Sequence, residues 1–509
     1  MMEPAGRKKR FTQRSRKGCF ECRRDHRKCD ELRPTCGRCR SLRQGCTYGQ
    51  RISWGGRAFD RSSFGQLMAS EEPRRGAEGQ VHILHSQGDD PGQAKRPFIY
   101  GTVRSNAHII ATASKKTTPL LCDYISLFPR LSSPGKVLLD YFVHAADSFS
   151  CDDEVKDQFC GTFIQMAANN DPLMASILAL AAAHRVNIGL EQDKEELGAL
   201  HLSAVKQLRM GLSTSADEPL MAAALLLCYT EVISGGANGS SWRLHLEGAG
   251  SLFAARWPAW TIHSSDPTRA FICQCFVSLV ALANVSGLPP SCAVSERALG
   301  MVSQDGPRPY IDNFTAYSSD LMSVLFELGQ LIRDRQQVSS QCTTNTAMSI
   351  EERSLRLLNR LDSMTVAAYA AASSTDKSQR RINELFRQAT ILQIHQRIRG
   401  LPPSSREIQR LVNSILALLS TFEIKPGPGF GVLLFYPAFS AGTGAVNLSQ
   451  RQQVRDLLNS MVQVMGFMNL RQGLNLLEIL WSHRDCYGED HSNASWETLF
   501  AENVDIILY

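Results

Sequence analysis

From about residue 119 onward, apolar side chains recur at helical spacing in segments separated by Gly, Pro and Ser. Across Gly135 to Phe149, the residues Val137, Leu138, Tyr141, Phe142 and Ala145 form an i, i+3, i+4 stripe. The segment Pro172 to Val186 opens on a proline, which has no N–H to lose in a first helical turn, and continues through Met174, Ile177, Leu178 and Leu180. The same periodicity predicts helices over 195–213, 218–234, 241–256, 267–286, 319–336, 350–370, 378–398, 404–421 and 449–482. Residues 338–349 and 371–379 read as internal loops. β-rich runs are scarce. Gly431 to Phe435 is the best strand-like stretch, although a buried helix end would have the same composition. Residues 119–509 therefore read as one large all-α domain of stacked helix pairs with no fixed-period repeat.

The pattern is absent upstream. Residues 49–118 are rich in Gly, Ser, Arg and Gln, with too little apolar surface to offset chain entropy, and are expected to form a mostly disordered linker. Phe59, Phe64, Leu67 and Met68 do not extend into a heptad, so no coiled coil is predicted there. Residues 1–17 are a basic arm without an apolar core, which argues against a secretory leader. The most apolar stretch, Ala270 to Val285, is shorter than a bilayer span, so no membrane partner is expected.

Charge sharpens this division. The formal net charge is +6, but residues 1–60 hold 17 Lys+Arg against 6 Asp+Glu, a net of +11, while the remainder carries −5. A basic head on a mildly acidic body implies an anionic partner for the head. Six of the 15 cysteines lie between Cys19 and Cys46. The other nine are scattered, mostly in apolar segments, and read as buried small hydrophobes.

The six are Cys19, Cys22, Cys29, Cys36, Cys39 and Cys46, spaced C-x2-C-x6-C-x6-C-x2-C-x6-C. A two-residue gap lets both thiolates of a pair reach one tetrahedral ion, and the C-x2-C-x6-C unit occurs twice. One zinc would strand two sulfurs. Two zincs need eight ligand positions, which six cysteines fill only if two of them bridge. Between the second and third cysteines runs a basic segment, Arg23, Arg24, Asp25, His26, Arg27 and Lys28, whose cations can contact phosphates or pair with guanine.

With Gly18 before the first cysteine, Lys28-Cys29-Asp30 at the third and Pro34-Thr35-Cys36 before the fourth, Gly18 to Tyr48 resembles the fungal binuclear zinc cluster DNA-binding domain. The resemblance implies two Zn(2+) per chain with Cys19 and Cys36 bridging. It also implies a short helix presenting residues 23–28 to the major groove of double-stranded DNA, commonly at CGG-like triplets. Asp25 departs from the usual basic centre. It either accepts from cytosine N4 or turns away to pair with Arg24 or Arg27.

The arm residues Arg7, Lys8, Lys9, Arg10, Arg14, Arg16 and Lys17 suit a nuclear localisation signal, a phosphate-contacting arm, or both. The body resembles the fungal-specific transcription factor regulatory domain through Leu138-Leu139-Asp140-Tyr141-Phe142, the Ala-rich run 175–184 and Trp242 to Ala249. The whole is thus expected to be a nuclear, sequence-specific regulator of genes transcribed by RNA polymerase II. Its divisions would be an arm at 1–17, the cluster at 18–48, the linker at 49–118 and the all-α body at 119–509. Co-regulators, a small-molecule effector and a homodimer formed through the body are possible partners. The alternative is a ligand-sensing or protein-interaction factor with weak intrinsic DNA binding.

No phosphate-binding loop, H-E-x-x-H or G-x-S-x-G motif occurs, so no catalytic residue is assigned and no enzyme is expected. His144, His184, His201 and His245 read as isolated helix histidines. Trp242, Phe253, Trp257 and Trp260 read as an aromatic group serving the core or lining a pocket.

Overall fold

The computed structural model describes residues 19, 21–22, 25, 27, 29–32, 35–42, 44–46, 128–129, 131–191, 194–214, 217–235, 241–256, 259–287, 289–302, 312, 314–316, 318–338, 344–364, 377–487 and 506–509. The chain divides into two units, Met1–Ile99 and Tyr100–Tyr509. In the first, a short helix α1 (Gly37–Ser41) lies among the cysteines.

The second unit is built from helices, and among its described residues there is no extended strand. In chain order they are α2 (Ser133–Ala145), α3 (Asp153–Ala167), α4 (Asp171–Asn187), α5 (Lys194–Thr214), α6 (Glu218–Ile233), α7 (Ser241–Arg256), α8 (Pro267–Val285) and α9 (Cys292–Val302). There follow α10 (Ser319–Val338), α11 (Thr344–Ser363), α12 (Lys377–Gln393), α13 (Arg406–Leu419), α14 (Phe435–Gly444), α15 (Leu448–Met465) and α16 (Met468–Tyr487).

Polar caps set the starts. Ser132, Asp152, Asn170 and Asp266 each accept from a backbone N–H of the first turn, and Pro134, Pro172, Pro219 and Pro267 occupy first-turn positions. Asn447 and Gln450 form a reciprocal capping box on α15.

The core is formed by helices with little or no polar face. In α6, 14 of 16 residues are buried, and in α14 all ten are. Helix α8 is long and apolar enough by length and composition to cross a membrane, yet 14 of its 19 residues are buried among its neighbours, which marks it as a core helix. Its C-terminal carbonyls are taken up by a buried arginine. Arg397 donates to the carbonyls of Val285, Ser286 and Gly287 at 2.9–3.1 Å, from a π-helical turn at Ile394–Ile398 that follows α12. The segment Ile506–Tyr509 is buried at the same end, where the Leu508 N–H donates to Ser286 Oγ at 2.9 Å.

Several expectations are corrected. Residues 449–482 are two helices, because Gly466 adopts φ 68° and closes α15 with a hydrogen bond to Val462. Gly431 to Phe435 takes the second of its two expected forms, a buried helix end, and is not a strand. It is a 3-10 turn at Phe430–Leu433 leading into α14, whose uniform burial removes the periodic signal. Helix α11 starts at Thr344, inside the expected loop 338–349, and α12 starts at Lys377, inside 371–379. Helices α3, α9 and α14 were not anticipated.

Candidate metal centre and nucleic-acid interface

Five of the six N-terminal cysteines are buried and Cys46 is half-buried, although the segment around them has few other apolar residues. All six are free thiols. Cys19 Sγ lies 3.7 Å from Cys36 Sγ and 3.6 Å from Cys39 Sγ, and Cys22 Sγ lies 3.7 Å from Cys36 Sγ. A disulfide would require about 2.05 Å. The edge of a tetrahedron with Zn–S bonds of about 2.3 Å is about 3.8 Å, which the observed separations match. Two groups of four converge: Cys19, Cys22, Cys29 and Cys36, and Cys19, Cys36, Cys39 and Cys46. Cys19 and Cys36 are common to both.

The internal repeat appears in the backbone. The Cys22 N–H donates to Cys19 Sγ and the Cys39 N–H to Cys36 Sγ, at 3.5 and 3.3 Å. The Cys19 N–H donates to Cys29 Sγ and the Cys36 N–H to Cys46 Sγ, at 3.4 and 3.2 Å. Between the halves, Asp30 Oδ2 accepts from Gly37 N at 2.8 Å and its Oδ1 accepts from Leu32 N at 3.3 Å.

Without a cation, burial pushes the Cys19, Cys22 and Cys46 thiols up, Cys22 to about 11. The Cys39 N–H draws the Cys36 thiol down, and the Gln44 amide does the same for Cys39. A coordinated divalent cation holds thiols deprotonated outright, so this donor set is chemically suited to zinc.

Of the expected DNA-reading residues, Asp25 and Arg27 are described; Arg23, Arg24, His26 and Lys28 lie outside the described residues, as do arm positions 7–17. The Asp25 N–H donates to the Glu21 carbonyl and the Arg27 N–H to that of Cys22. Arg27 is exposed. Arg24, one of the two partners expected for Asp25, lies outside the described residues. The Asp25 Oδ2 lies 3.1 Å from Arg38 Nη1, in the other half of the repeat. Arg38 and Gln44, which also donates to Cys39 Sγ at 3.5 Å, were not singled out from sequence. Arg38 stands between the cysteines of the second C-x2-C, which is the one available clue.

Residues 17–55 match the fungal Zn(2)-Cys(6) binuclear cluster domain, and residues 137–509 match the fungal specific transcription factor domain. The chain belongs to the fungal-specific transcription factors. No curated protein and no solved structure matches the chain. As a member of this family it is a DNA-binding transcription regulator whose N-terminal cluster takes two zinc ions. Zinc supplies the cross-link that the small first unit lacks in hydrophobic core.

In the body of the transcription factor, the described members of the expected aromatic group are buried core side chains. Phe253 and Trp260 pack edge to face at 6.1 Å and Phe253 lies 4.8 Å from Phe276, all buried, while Trp257 lies outside the described residues. A cavity of about 440 Å³ is lined elsewhere by Asp147, Arg381, Lys425 and Phe430 among others. Of the scattered cysteines, Cys151, Cys160, Cys228, Cys273 and Cys275 are buried as expected, but Cys292 and Cys486 are exposed. The histidines are not all isolated either. His184 is fixed between Tyr141 Oη at 2.8 Å and the Met465 carbonyl at 2.7 Å, and His201 and His245 converge with Glu231.

Proposed function

We propose that this protein reads CGG-like triplets upstream of genes transcribed by RNA polymerase II, from within the nucleus. In this reading all six cysteines are zinc ligands and Cys19 and Cys36 bridge the two ions. The observation that carries it is the convergence of two sulfur quartets on those two residues, at the edge length of a ZnS4 tetrahedron. Arg23, Arg24, His26, Arg27 and Lys28 contact the DNA. Asp25 does not read a base, because its carboxylate is engaged by Arg38. That engagement also removes the reason for expecting weak DNA binding.

The arm at 1–17 serves nuclear import and phosphate contact. Residues 18–48 are the reader, 49–118 the linker and 119–509 the regulatory body. The body carries no enzymatic role. It responds to co-regulators or a small effector and offers the surface for any homodimer.

Selection from random duplexes with the full-length protein tests this. The expected result is an enriched motif containing a CGG-like triplet, with affinity that falls steeply as salt rises because phosphate contacts release counterions. Selection that enriches no motif overturns it.

A further inference from the structure

We propose a second metal site in the regulatory body, formed by His201, Glu231 and His245 and suited to a single zinc ion. The three residues come from three consecutive helices, α5, α6 and α7, and their ligand atoms all lie within 4.8 Å of one another. His201 Nε2 is 2.8 Å from Glu231 Oε1. Two imidazoles and one carboxylate are the protein share of an open zinc site, in which a fourth position is left for water or another ligand.

Burial points the same way. Glu231 is 8% exposed on α6, a helix whose other residues from Leu220 to Ile233 are buried and mostly apolar, so its carboxylate needs a compensating charge. The contact with His201 uses two of the three groups. The third, His245, is 6% exposed and brings a ring nitrogen to the same point. His201 is half-buried, which gives an ion an approach from solvent. Donors around tetrahedral zinc stand about 3.3 Å apart, so side-chain rotations that close up to about 1.5 Å complete the site.

The site is chemically distinct from the thiolate cluster. An ion there joins α5 to both α6 and α7 and makes the stability of the body depend on free zinc.

The test is metal content of the purified full-length protein after equilibration with micromolar zinc chloride and removal of the excess. Wild type is expected to retain three zinc ions per chain. The Glu231→Gln, His245→Ala and His201→Gln variants should each retain two. His201→Gln replaces the half-buried ligand and guards against misfolding; its circular dichroism should equal that of wild type. Added zinc should raise the melting temperature of wild type but not of His201→Gln. With cobalt in place of zinc, thiolate charge-transfer absorption should be equal in wild type and His201→Gln, which separates this site from the cluster. Two ions in a wild type with the full thiolate signal, or three in His201→Gln, would overturn the proposal and leave a hydrogen-bonded ion pair.

Discussion

Asp25 holds Arg38 across the two halves of the zinc cluster. Asp25 Oδ2 lies 3.1 Å from Arg38 Nη1, and the same nitrogen lies 3.9 Å from Cys22 Sγ. The guanidinium thus meets a carboxylate and a metal-binding sulfur at once. An acidic residue in the middle of a basic segment is thereby turned to an internal use.

The consequence for Asp25→Ala is a changed cluster with an unchanged reading preference. Both side chains are about 30% exposed, so the pair contributes at most about 1 kcal/mol. That corresponds to loss of zinc to a chelator at no more than about five times the wild-type level. Duplex selection with the variant should return the wild-type motif. A shifted motif would show that Asp25 faces a base after all.

The shared residues of the two quartets make unequal demands on the six cysteines. Cys36 belongs to both quartets and Cys46 to one. In the cobalt-substituted protein, Cys36→Ser should lose most of the thiolate charge-transfer intensity, whereas Cys46→Ser should retain about half, since one four-sulfur site stays complete. Equal losses would contradict a bridged arrangement.

The metal centre was legible because its chemistry is written locally: six cysteines at fixed spacing need no long-range information. The role of Asp25 was not, since its partner Arg38 lies 13 residues away in the other half of the repeat. The body divides in the same manner. Helices with a polar face and a cap, such as α2, follow from periodicity. Helix α3 carries a stripe of Val155, Phe159, Phe163 and Ala167 behind the Asp152 cap. Helix α14 carried none, because a helix buried on every side has no reason to alternate. Its Gly442 instead permits close packing: a Cβ there would stand 2.6 Å from Leu477 Cδ1. The convergence of His201, Glu231 and His245 depends on how α5, α6 and α7 pack, which no spacing records.

Gly466 separates α15 from α16 for two independent reasons, and they can be measured apart. Its φ of 68° is strained for any residue with a Cβ, and that Cβ would stand 2.2 Å from Ile188 Cγ2. Gly466→Ala is expected to destabilise the body by about 2–5 kcal/mol, combining roughly 1–2 for the left-handed backbone with roughly 1–3 for the clash. In denaturant unfolding, adding Ile188→Ala should relieve the steric part of the penalty without the backbone part. Simple additivity of the two losses would mean that the clash is not real.

His184 makes the body sensitive to acid. Its Nε2 is 2.7 Å from the Met465 carbonyl, which can only accept, so that nitrogen carries the proton and Nδ1 accepts from the Tyr141 hydroxyl. The imidazole therefore joins α4 to α2 and to the end of α15 in its neutral form. Burial lowers its pKa from 6.5 to about 4. Between those values the unfolded chain binds a proton that the folded chain refuses, so stability falls as pH falls, by up to about 1.4 kcal/mol per pH unit and about 3 kcal/mol over the window. Above pH 6.5 the contribution is complete and flat. His184→Gln can still donate to Met465 O but does not titrate. Its stability curve from pH 6.5 to 4 should be shallower than wild type by that slope. Parallel curves would mean that His184 is already solvated and protonated in the folded protein.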